Sequence, residues 1–80
     1  MFIEQMRVIR TVVTEVPGLG EMIREARERD RRSLAKICRE INMSTQNWYR
    51  IEREEQDLPI DTLRKIETVL GVEFGVSKDF

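Results

Sequence analysis

Apolar residues recur along most of this chain at helical spacing. Leu19, Met22, Ile23 and Ala26 stand at i, i+3, i+4 and i+7 with Arg and Glu between them, and predict an amphipathic helix over 19–30. Leu34, Ile37, Cys38 and Ile41 repeat the spacing directly after Ser33, whose hydroxyl suits a helix start. Asn42 follows. Asn tolerates the left-handed backbone that ends a helix and bends the chain sharply. Ser44 is placed to cap a third helix running to about Arg53. A fourth begins near Pro59, suited to a first helical position, carries Leu63, Ile66, Val69 and Leu70, and stops at Gly71. Val72 and Phe74 are expected to fold back and close the core. The prediction is an all-α fold of four to five short helices in one bundle over 19–76, with 77–80 as a tail.

Residues 1–18 follow another pattern. Val8, Ile9, Val12, Val13 and Val16, with Thr11 and Thr14, are β-branched, and Pro17-Gly18 ends the run. This predicts a strand over roughly 7–15, as an N-terminal extension of the helical domain. A lone strand in a helical chain needs a pairing partner, which points to a second copy and a dimer. An arm without regular structure and a further helix stay open, since Ile3, Met6, Ile9 and Val13 also keep helical spacing.

Two short helices joined by about three residues, with Asn42 at the bend, describe a helix-turn-helix. On the third helix, Thr45, Gln46, Tyr49, Arg50 and Arg53 fall within an arc of roughly 140° at about 100° per residue. Trp48 and Ile51 lie opposite, which makes Trp48 a buried anchor rather than a base-stacking ring. The polar arc contains no acidic residue. Its residue types suit base reading: an Arg fork matches guanine O6 and N7, a Gln amide matches adenine N6 and N7, and a Thr methyl meets a thymine methyl. Tyr49 lies inside the arc and is expected to face DNA.

Charge supports this picture despite a net of −1. Arg24 to Arg53 hold nine basic and five acidic residues, a local +4, while the segment from Glu54 onward carries −4. Such a split concentrates positive field on one part of a surface. The chain has no His and a single Cys, Cys38. That excludes His-based acid–base catalysis, His-ligated zinc and an intramolecular disulfide framework. Cys38 sits on an apolar helix face and is expected to be a packed thiol. With no nucleophile–base pair, metal-ligand cluster or phosphate-binding Gly loop, no enzyme activity, metal or cofactor is expected. No apolar run nears the roughly 20 residues of a membrane span, so a cytoplasmic protein without membrane association is expected.

The stretch Ser33-Leu34-Ala35-Lys36-Ile37-Cys38-Arg39-Glu40-Ile41-Asn42-Met43-Ser44, through Arg50-Ile51-Glu52-Arg53, resembles the Cro/phage-repressor type of helix-turn-helix, the family also named after the xenobiotic response element. Ile37-Cys38 stand where that family has Leu-Ala, and Asn42-Met43-Ser44 where it has Gly-aliphatic-Ser. Ile23-Arg24-Glu25-Ala26-Arg27 resembles its first helix, and Thr62-Leu63-Arg64-Lys65-Ile66 with Leu70-Gly71-Val72 its fourth. About 50 of the 80 residues are covered without a gap.

The resemblance implies a dimeric regulator of transcription, a repressor in its simplest form, that binds double-stranded DNA. It implies base contacts from Thr45, Gln46, Tyr49 and Arg50. Phosphate contacts would come from Ser44, Asn47 and the start of the second helix at Ser33, with Arg31, Arg32, Lys36 and Arg53 neutralising further phosphates. It also implies a structural ion pair between Arg27 and Glu52. Departures stand beside it: Leu34 replaces the family's Gln, Arg31 and Glu54 replace glycines, and Glu54, Glu55 and Asp57 make the following loop acidic. They feed a second expectation, an antitoxin-like or adaptor module that binds a protein partner and holds DNA weakly.

Overall fold

Two serines set the starts of the central helices. Ser33 Oγ accepts the Lys36 backbone N–H at 3.2 Å, and Ser44 Oγ accepts that of Asn47 at 3.1 Å. Each hydroxyl satisfies a donor that a helix start leaves without a carbonyl. The computed structural model describes residues 6–9 and 13–76. Their order is β1 (Met6–Ile9), β2 (Val13–Val16), α1 (Leu19–Arg29), α2 (Leu34–Glu40), α3 (Thr45–Glu52), β3 (Leu58–Pro59) and α4 (Ile60–Leu70).

The strands overturn the all-α expectation, because the fold is mixed α/β, with four helices and a three-stranded sheet. The single strand expected over 7–15 is two. β1 pairs antiparallel with β2, Met6 opposite Val16 and Val8 opposite Thr14. On its other side β1 pairs parallel with β3, Val8 opposite Leu58. The partner that a lone strand would have sought in a second copy lies within the same chain, so that argument for a dimer lapses. The physical reason is alternation along β1: Met6 and Val8 are wholly buried while Arg7 is exposed and stands 3.6 Å from Asp57. Met6 and Val8 share one core with Leu19, Ile23, Leu58 and Leu63, so the hairpin belongs to the domain that the helices build rather than extending it. The helix and arm readings of this segment do not hold at Met6–Ile9 and Val13–Val16, and residues 1–5 and 10–12 lie outside the described residues.

Helix boundaries follow local chemistry. Asn42 has φ 56°, so the second helix ends in the left-handed conformation expected of it. Pro59 is the residue before α4 rather than its first helical position, and Gly71, at φ 68°, ends that helix. Phe74 and Val76 fold back onto the core, where the Phe74 N–H donates to Glu67 Oε2 at 2.9 Å. Arg64 holds the same Glu67 from the adjacent turn at 2.8 Å.

α1 and α3 approach closely at Gly20. A Cβ there would stand 2.4 Å from the Glu52 carbonyl oxygen, so only glycine fits. α1 has no side-chain cap of its own at Gly18. Glu54 supplies one from across the chain: its Oε2 accepts the Gly20 N–H at 2.8 Å. Glu54 itself has φ 58°, the left-handed position where the resembled family carries glycine.

Candidate nucleic-acid interface

The turn between α2 and α3 carries the site. The Asn42 N–H donates to the Arg39 carbonyl at 3.2 Å and the Met43 N–H to that of Cys38 at 2.9 Å, closing the end of α2. Ser44 then restarts the helix in a new direction. α3 presents one apolar side inward, with Trp48 and Ile51 wholly buried. Trp48 anchors the helix and is not available for stacking on a base; its Nε1–H donates to Glu52 Oε2 at 2.6 Å.

Thr45, Gln46, Tyr49 and Arg50 are all exposed on the other side of α3. Ser44 is exposed and Asn47 half-buried at its amino end. No carboxylate lies on this face. Arg27 reaches from α1 to Glu52 through two bonds, Nε to Oε2 at 2.9 Å and Nη2 to Oε1 at 2.8 Å. The Glu52 hydrogen bond is the main reason the Arg27 guanidinium is raised above its ordinary pKa, with burial opposing it. Arg27 also lies 5.7 Å from the centre of the Tyr49 ring, a cation–π distance. One face of the Tyr49 ring is thus turned to Arg27 of α1, while the residue stays 42% exposed.

Among the expected phosphate contacts, Ser33 and Lys36 are exposed on α2 and Arg31 just before it. Arg32 is placed otherwise. Its Nε and Nη2 donate to Asp30 at 2.9 and 2.7 Å, its Nη1 to Glu40 at 3.0 Å, and its Nη2 also to the Val69 carbonyl. The side chain bolts the α1–α2 loop to α4, and this removes Arg32 from the cations open to a phosphate. Arg53 is exposed but pairs with Glu55 at 2.9 Å, which cancels its charge locally.

Arg39 is a residue that sequence reasoning passed over. It lines a shallow depression with Ala35, Asn42, Met43, Ser44 and Thr45, beside the turn and without a carboxylate in the lining. The signal was present, since Lys36 and Arg39 are i, i+3 neighbours on one face of α2.

No family model, curated protein or solved structure matches this chain. Among the described residues, no helix is long and apolar enough to cross a membrane, and no group of three or more Cys, Asp or Glu is arranged to hold a metal ion.

Proposed function

We infer that this domain binds double-stranded DNA through α3 and regulates transcription, most simply as a repressor that blocks polymerase from its site. One observation carries the reading. In a chain with 15 acidic residues, the exposed face of α3 displays Thr45, Gln46, Tyr49 and Arg50 and no carboxylate. A soluble helix of this composition ordinarily mixes both signs on its outer face. The Arg27–Glu52–Trp48 contacts tie α3 to α1 behind this face. An eight-residue helix spans few base pairs, so a homodimer reading two half-sites about one helical turn apart supplies the specificity. Such a regulator works in the cytoplasm, on DNA, without a cofactor and without catalysis.

The adaptor reading leaned in part on the acidic loop, and each carboxylate there has an internal partner. Glu54 caps Gly20, Glu55 pairs with Arg53 and Asp57 with Arg7. The loop therefore offers an outside partner less uncompensated charge than its sequence suggests.

The test is selection of bound duplexes from a random library, followed by binding of wild type and the Gln46→Ala/Arg50→Ala variant. A two-fold related motif, lost in the variant while its circular dichroism is unchanged, supports the reading. No enriched motif sinks it and turns the search to a protein partner.

A further inference from the structure

A second depression lies on the other side of the turn, between α3 and α4. It encloses about 440 Å³ and opens along the edge of the polar face. Arg50, Gln46 and Asn47 line it from α3, Asn42 from the turn, and Thr62 and Lys65 from α4. Its polar lining includes hydroxyl, amide, guanidinium and ammonium groups and no carboxylate. Two cations from different helices thus share one hollow whose described lining residues include no anion.

Many cations of the chain are held by its own carboxylates, and among the described residues these two are not. Arg7, Arg24, Arg27, Arg32, Arg53 and Arg64 each stand within 4.0 Å of a carboxylate. No such pair among the described residues involves Arg50 or Lys65. Acidic neighbours are close in sequence, with Asp61 at the start of α4 and Glu67 two residues after Lys65. Yet Glu67 is turned inward to Arg64 and Phe74, and Asp61 does not line the hollow.

We propose that Lys65 of α4, in the depression it shares with the base-reading Arg50, binds a backbone phosphate of the DNA that α3 reads. The inference rests on the DNA-binding reading and extends it to a helix that sequence reasoning assigned only to the core. The chemistry is that of a phosphate oxyanion. The Lys65 ammonium supplies the charge, the Arg50 guanidinium adds to the positive field of the hollow, and the Thr62 hydroxyl and the Asn42 and Asn47 amides supply neutral donors. A phosphate there flanks the base-reading residues and fixes the register of α3, as contacts to the sugar–phosphate chain do in general. Because Lys65 touches no base, its contribution is the same on every sequence.

The test is fluorescence anisotropy with a mixed-sequence duplex over a salt series, comparing wild type, Lys65→Ala, Lys65→Arg and Arg24→Ala. Each neutralised phosphate contributes about 0.9 to the slope of log affinity against log salt, so Lys65→Ala lowers that slope by about one. Lys65→Arg keeps it, and so does Arg24→Ala, whose charge is already paired on α1. Thermal melts of all four proteins, expected to agree because Lys65 is exposed, separate this effect from folding. A wild-type slope retained in Lys65→Ala overturns the proposal and leaves DNA binding by α3 standing. Absence of salt-dependent binding by wild type overturns both. Pyrophosphate titrated at constant ionic strength, followed by amide shifts of Asn42, Gln46 and Asn47, separates the sources of phosphate. No saturable shift is expected, and one that Lys65→Ala abolishes assigns the hollow to a small phosphate compound instead.

Discussion

Arg27 and Glu52, 25 positions apart in sequence, meet through two parallel hydrogen bonds of 2.9 and 2.8 Å, and the Trp48 indole N–H shares the same carboxylate. The Glu52 side chain is 4% exposed and that of Arg27 21%. Removing one partner leaves the other charge in poorly hydrated surroundings. Glu52→Ala is expected to cost about 3 kcal/mol, the low end for breaking a buried pair because Arg27 keeps some contact with water. Chemical denaturation measures this. DNA affinity per folded molecule should change little, since neither group lies on the outer face of α3; a large loss of affinity with unchanged stability would show the pair to be part of the contact surface.

The Gly20 backbone N–H and the Glu54 side chain join α1 to the residues just after α3. Gly20→Ala places a methyl 2.4 Å from the Glu52 carbonyl, and relieving that contact costs about 1–3 kcal/mol, more than the helix preference of alanine returns. Glu54 combines a strained backbone with a useful side chain. Glu54→Ala keeps the strain and loses the cap, and should destabilise by about 1 kcal/mol. Glu54→Gly loses the cap and relieves the left-handed strain, and is expected within about 0.5 kcal/mol of wild type. Equal stabilities for the two variants would contradict this account of Glu54.

The helices were legible because each carried both a period and its punctuation. Ser33, Asn42, Ser44 and Gly71 mark boundaries through side-chain or backbone chemistry that acts within four residues. The sheet was not legible in the same way. Between the strands stand Arg10-Thr11-Val12, with no Gly, Asn or Pro, so the β-branched run from Val8 to Val16 read as one strand. β3 is two residues long and pairs with β1 from 50 positions away, which no local pattern encodes. The polar face of α3 followed from angular position alone. Withdrawal of Arg32 from the cationic surface did not, because it depends on Asp30, Glu40 and the Val69 carbonyl meeting in space. The same holds for Lys65, whose place beside Arg50 is set by how α4 crosses the turn.

Asp30 gives the chain an acid-sensitive element. Its Oδ1 accepts both the backbone N–H and Nε of Arg32 at 2.9 Å. The side-chain bond to Arg32, followed by the backbone bond, holds the carboxyl at about 2, below the ordinary 3.8. A depressed folded-state value stabilises the fold above the unfolded value, and that contribution disappears as pH falls from about 4 to about 2. Asp30→Asn lacks it throughout. Urea midpoints of wild type and variant should therefore differ at neutral pH and converge toward pH 2; a constant difference across that range would be the contrary result.

Cys38 is 1% exposed within the core. Burial first, then the negative charge of Glu52, pushes its thiol pKa up, so little thiolate forms at neutral pH. Labelling by a thiol-reactive dye should be slower by orders of magnitude than in denaturant, and should accelerate in parallel with destabilisation by Glu52→Ala, because access requires opening of the structure. Rapid labelling of the native protein would place the thiol near the surface.

Removal of residues 1–17 distinguishes an integral hairpin from a dispensable arm. Met6 and Val8 are wholly buried and cover Leu19, Ile23, Leu58 and Leu63, so a chain beginning at Gly18 exposes the centre of its own core. Leu58 also loses the strand with which β3 pairs. In a domain of 80 residues, where stability is a small difference between large terms, that loss should abolish cooperative unfolding. A milder version is Met6→Ala, which opens a cavity at a sealed position and should cost about 2–4 kcal/mol. Calorimetry of both variants checks the assignment. A sharp transition near the wild-type temperature in the shortened chain would mean that the helices fold without the sheet, and the hairpin would then have to be explained by something outside this domain.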